Sequence, residues 1–110
     1  MKIEIEEKFK LLVNMAWVDG EIAKVERDLV YRIAAHNNIN KAYIDNLFSD
    51  PPHEVKPELI PSELRENVLT DLITIMKADL KLHAQELKYC FLMTERMGFD
   101  REYVAQKLDA

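Results

Sequence analysis

The chain has 110 residues, of which 48% are hydrophobic, only two are glycine and four are proline, and it carries a formal net charge of −5. That length fits one domain able to bury about two thirds of its unfolded surface, and the apolar content excludes disorder and low complexity. The acid excess and scattered basic residues argue against nucleic acid, which needs a concentrated basic face.

The periodicity predicts a first helix over residues 3–18, with Ile5, Phe9, Leu12, Val13 and Ala16 as its core stripe. Leu11, Met15 and Val18 form a second apolar stripe on nearly the opposite side, and Trp17 lies at the edge of a narrow polar band of Glu7, Lys10 and Asn14. A helix apolar on two sides is either central in its bundle or offers one side to a partner. Leu11, Met15, Val18 and Trp17 are therefore the candidate partner-binding residues, for another protein or for a second copy in a homodimer. Trp17 is expected to be half-buried. Asp19-Gly20 ends this helix, because glycine readily takes the left-handed conformation that follows one.

A second helix is predicted over 24–37, with Val25, Leu29, Val30, Ile33 and Ala34 inward and Asn37-Asn38 as its stop. Asn40 N-caps a third over 41–48, where Tyr43, Ile44, Leu47 and Phe48 face in. All four prolines fall in the connector 49–61, which is stiff and expected to hold a turn near Pro57. Ser62 is expected to N-cap a fourth helix over 63–79, with Val68, Leu69, Leu72, Ile73 and Met76 inward. The fifth, over 84–97, is apolar around much of its circumference and is expected to be the most buried. Gly98 ends it, and Asp100 N-caps a sixth over 101–109.

Sliding the chain by 60 positions aligns these features without a gap. Leu12 meets Leu72, Asp19 meets Asp79, Glu26 meets Glu86, Asn38 meets Gly98, Asn40 meets Asp100 and Tyr43 meets Tyr103. The expected fold is an all-α bundle forming one domain over 1–110. It would be built from two copies of a three-helix unit, 3–49 and 63–109, related by an approximate two-fold.

The junction Asp19–Glu26 recurs as Asp79–Glu86. One account is structural. With Ala23 and His83 as N-caps, Glu26 and Glu86 fall in the first helical turn, where a carboxylate can accept from free backbone N–H groups. The other account is a hard-cation site for calcium or magnesium, with Asp19, Glu26, Asp79 and Glu86 as ligands. Neither junction has the alternating acids of an EF-hand. Asp79, His83 and Glu86 also share a spacing that could present a transition metal, although His83 falls at a helix start.

No catalytic residue is singled out: there is no Gly-rich phosphate loop, no elbow serine and no His/Cys dyad, and Cys90 sits mid-helix on an apolar face where inert thiols live. Cys90 is alone, which excludes a disulfide framework or thiolate zinc cluster and fits the cytoplasm. The N-terminus lacks the apolar core of a signal peptide, and no apolar run approaches the roughly 20 residues of a membrane span.

Met15-Ala16-Trp17-Val18-Asp19-Gly20-Glu21-Ile22-Ala23-Lys24-Val25-Glu26, with Asp79, Leu82-His83, Glu86 and Met97-Gly98-Phe99, resembles the TerB-like family, the tellurite-resistance-associated domain of bacteria. The resemblance spans essentially the whole chain. It implies an all-α, internally duplicated domain in a stress-response system, with relatives beside J-domains in membrane-anchored co-chaperones. It also implies metal binding at Asp19, Glu26, Asp79 and Glu86. Two positions depart from the pattern: Leu80 stands where the second copy would often have Gly, and Ala23 where a Ser or Thr cap is expected. The leading expectation is a non-enzymatic interaction or scaffold domain; the alternative is binding or sensing of a divalent cation.

Overall fold

The computed structural model describes residues 3–18, 20, 22–78 and 83–109. Among these lie α1 (Ile3–Trp17), α2 (Lys24–His36), α3 (Lys41–Ser49), α4 (Ser62–Met76), α5 (Ala84–Arg96) and α6 (Arg101–Asp109), and no strand. One 3₁₀ turn, Pro57–Leu59, falls in the connector at the proline where a turn was expected. The helices measure 15, 13 and 9 residues, then again 15, 13 and 9.

The helix ends follow from local chemistry. At the end of α2, Ile39 N–H donates to Ala34 O at 2.9 Å and Asn38 N–H to Ala35 O at 3.1 Å. At the end of α5, Phe99 N–H donates to Thr94 O at 3.0 Å and Gly98 N–H to Glu95 O at 2.9 Å. Both are Schellman closures, which satisfy the last carbonyls of a helix and need a left-handed residue. Asn38 has φ 58° and Gly98 has φ 93°. Asn40 caps α3 as expected, its side chain accepting from Ala42 N at 2.8 Å. Ser62 does not cap α4: Pro61 holds that place and Ser62 is the first helical residue.

The central helix is α1, which packs against α2, α3, α4, α5 and the 3₁₀ turn. Its buried residues, Glu7, Lys8, Phe9, Leu11, Leu12, Val13, Met15 and Ala16, belong to both of its apolar stripes. Around it close Val30 and Ala34 of α2, Ile44 and Phe48 of α3, Leu69, Leu72, Ile75 and Met76 of α4, Cys90 of α5 and Val104 of α6. The expectation that the fifth helix is the most buried is corrected. α5 buries only Glu86, Cys90, Met93 and Thr94 and leaves Leu92 exposed, because its circumference is only partly covered, whereas α1 buries eight residues.

Buried polar groups tie the layers together. Lys8 Nζ, in α1, lies 2.8 Å from both Asp71 Oδ2 and Asn67 Oδ1 of α4. The buried carboxylate of Glu7 accepts from Lys56 N–H at 2.9 Å, and Asn14 Nδ2 donates to Pro52 O at 3.0 Å, so α1 holds the connector along its length. Arg65 donates from Nε to Ile60 O at 2.7 Å and from Nη1 to Met97 O at 2.8 Å. One guanidinium thereby joins connector, α4 and the end of α5. Its rigid fork can serve two such carbonyls where a lysine could not hold the same geometry. Arg96 grips Glu58 of the 3₁₀ turn through both carboxylate oxygens at 2.9 Å.

Candidate functional site

Glu26 and Glu86 occupy the third helical position of α2 and α5, after the N-caps Ala23 and His83. Neither residue caps its helix through a side-chain hydrogen bond. Both glutamates are buried, at 2% and 1% exposure. The buried line of α2 is Glu26, Val30 and Ala34, and that of α5 includes Glu86, Cys90 and Thr94, at positions 60 apart. Val25, expected inward, is 48% exposed instead. An acid takes the inward register position beside it, which an apolar periodicity cannot register. A carboxylate enters a core only with compensating interactions, and both glutamates have interaction partners, as do Lys77 and His83.

Asp19 and Asp79, the other two expected cation ligands, lie outside the described residues, as does Glu21. Among the described residues, no three His, Cys, Asp or Glu side chains are grouped to hold a metal ion. His36 and His53 are exposed.

The expected partner face of α1 is not presented outward. Leu11 and Met15 are fully buried, and Trp17 and Val18 are half-buried against the core. The reason is the central position of α1, whose second stripe is covered by the chain itself. Trp17 Nε1 is enclosed without a hydrogen-bond partner among the described residues.

One stretch of outward-facing apolar surface lies on α5. Leu87, Lys88, Phe91, Leu92, Glu95 and Arg101 line a depression of about 430 Å³. A second, of about 330 Å³, continues it between Phe91, Thr94, Glu95, Phe99, Asp100 and Arg101. The two share Phe91, Glu95 and Arg101 and form one groove along α5 to the start of α6. Leu92 is 53% exposed on its edge. Arg101 lies 4.2 Å above the Phe91 ring and holds it in place by a cation–π contact.

The corresponding face of α2 is built from different chemistry. Sixty positions earlier stand Arg27 for Leu87, Tyr31 for Phe91, Arg32 for Leu92 and Asp45 for Ala105. There Arg27 lies 5.3 Å from the Phe48 ring, Lys41 lies 5.3 Å from the Tyr31 ring, and the Tyr31 hydroxyl donates to Asp45. Burial, then this bond to Asp45, raises the Tyr31 pKa, while the same bond, then Lys41, lowers that of Asp45. The α2 face thus satisfies itself. Reading the fifth helix as the most buried missed the α5 groove, although the exchange of Arg27, Arg32 and Asp45 for Leu87, Leu92 and Ala105 was visible in the aligned halves.

Elsewhere, a polar cavity of about 370 Å³ lies between α1, the connector and α5, lined by Asn14, His53, Glu54, Val55, Tyr89, Met93 and Arg96. Burial raises the Tyr89 pKa, so its hydroxyl keeps its proton. Burial also pushes the Cys90 thiol up to about 11, which leaves it no thiolate at neutral pH. No helix among the described residues is long and apolar enough to cross a membrane. Comparison with known protein families, with curated proteins and with solved structures finds no match to this chain.

Proposed function

We propose that the chain is a non-enzymatic protein-interaction module, a TerB-like domain of a cytoplasmic bacterial stress-response system, and that it docks its partner through the α5–α6 groove. One observation carries this reading: the α5 face presents Leu87, Phe91 and Leu92 where the matching α2 face presents Arg27, Tyr31 and Arg32. The fold tolerates arginine at the positions of Leu87 and Leu92, and an exposed Leu92 beyond the needs of folding marks a recognition surface.

The duplicated origin of the domain belongs to the same reading. The two sets of 15, 13 and 9 residues, the paired Schellman closures and the cation over an aromatic ring in each half (Lys41 on Tyr31, Arg101 on Phe91) support two copies of one unit about an approximate two-fold. The Asp-Gly junction and the Met-Gly-Phe break support the TerB-like assignment.

The test is a photo-crosslinking amino acid placed at Leu92 and, separately, at Arg32, its counterpart on α2. A discrete adduct at Leu92 and none at Arg32 is the expected result. Equal labelling at both sites, or none at Leu92, overturns the docking face.

A second reading, divalent-cation binding by Asp19, Glu26, Asp79 and Glu86, draws support from the burial of Glu26 and Glu86 at matching positions. A thermal-shift series with calcium, magnesium, manganese and zinc tests it, since a ligand at 100 times its Kd stabilises by roughly 2.7 kcal/mol. A shift that survives Asp19→Asn with Asp79→Asn rules those ligands out.

A further inference from the structure

We infer that the α5–α6 groove takes an amphipathic helix of a partner protein, one with a carboxylate at one end of its apolar stripe and a basic residue at the other. The inference rests on the interaction-module reading and adds the chemistry of the occupant.

The length fits a helix. Leu87 and Glu95 are eight positions apart on α5, about 12 Å at 1.5 Å per residue. That matches the reach of side chains at i, i+3 or i+4, and i+7 on a docked helix, about 10 Å. Leu87, Phe91, Leu92 and Phe99 supply the apolar floor and edge.

The charges supply the direction. The depression nearer the start of α5 has two cations, Lys88 and Arg101, against one carboxylate, Glu95. The depression at its far end has two carboxylates, Glu95 and Asp100, against Arg101 alone. Among the described residues, none of these four side chains forms an ion pair with another residue of the chain. On α2 the matching charges are consumed internally: Lys41 pairs with Asp45 at 3.1 Å. The groove therefore runs from net positive to net negative along an apolar floor, and a complementary ligand runs from acidic to basic. Such complementarity sets orientation and discriminates among apolar helices more than it adds raw affinity.

Three labelled synthetic helices test this by fluorescence anisotropy. Each carries leucines at i, i+4 and i+7. One is flanked by glutamate at one end and lysine at the other, one by lysine at both ends, and one by glutamate at both. The mixed helix is expected to bind about fivefold or more tighter than either single-sign helix at low salt, with the gap narrowing as salt rises. Lys88→Glu, which makes both depressions net negative, is expected to turn the preference to the all-lysine helix. Leu92→Asp, at an exposed position that leaves the core intact, abolishes binding of all three.

Equal affinities for the three helices, no binding at millimolar peptide, or indifference to Lys88→Glu overturns the inference. A dimer in sedimentation that Leu92→Asp disperses assigns the groove to a second copy and also overturns it. If the Leu92 crosslink forms while the three helices bind alike, the docking face stands and only the chemistry of its occupant falls.

Discussion

Asn38 and Gly98, 60 positions apart, close α2 and α5 in the same left-handed conformation, with φ of 58° and 93°. The two halves solve one backbone problem with the two residue types that best tolerate it. A Cβ on Gly98 would have room, its nearest neighbour being Arg65 Nη1 at 3.7 Å. Strain, not collision, is then the cost of a side chain. Gly98→Ala is expected to destabilise by about 1 kcal/mol and Asn38→Gly to stabilise by about 0.5 kcal/mol, read from urea midpoints at constant m. Stabilisation by Gly98→Ala, or destabilisation by Asn38→Gly, would refute a shared closure.

The clamp between α1 and α4 makes a second prediction. Lys8 is 7% exposed and depends on Asp71 and Asn67 to compensate its charge. Removing one partner strands a largely buried ammonium, whereas replacing both with apolar groups removes the desolvation cost together with the attraction. Asp71→Ala is expected to cost about 2–3 kcal/mol. Lys8→Met with Asp71→Leu is expected to stay within about 1 kcal/mol of the parent, by the same denaturation measurement. A double variant as unstable as Asp71→Ala would show that the pair contributes more than its desolvation costs.

Glu58 sets an acid-side prediction. A backbone hydrogen bond within Glu58, then Arg96, holds its carboxyl below the usual carboxylate range. A depressed folded pKa means stability that is present above the unfolded value and lost as pH falls through the folded one. Arg96→Gln removes the guanidinium, so Glu58 should titrate at higher pH, nearer its unfolded value, and its share of the acid-side loss of stability should shrink, leaving a shallower acid limb. Carboxyl NMR titration of both proteins reads this directly. An unmoved Glu58 titration in the variant would leave Arg96 without an electrostatic role there.

Cys90 is fully buried, and its thiol is pushed up to about 11 by that burial. At pH 8 the folded protein should therefore resist a disulfide reagent such as DTNB, with labelling limited by unfolding and accelerated by urea. Prompt labelling of native protein would place the thiol at the surface and reopen a chemical role for it.

The helices, the ends of α2 and α5 and the connector turn were legible in the sequence because they depend on near neighbours, whereas α4 starts at Ser62 and stops at Met76, short of the expected 79. Apolar periodicity marks a helix, Asn38 and Gly98 end one, and proline confines the connector. What periodicity reports is which residues share a side of a helix; which side another helix covers depends on the packing of distant segments. Tertiary structure therefore decided that Leu11 and Met15 are enclosed, that Glu26 turns inward while Val25 turns out, and that Leu92 of an apolar helix remains exposed. The groove that carries the functional proposal comes from that last decision, since α5 is apolar on more sides than its neighbours cover.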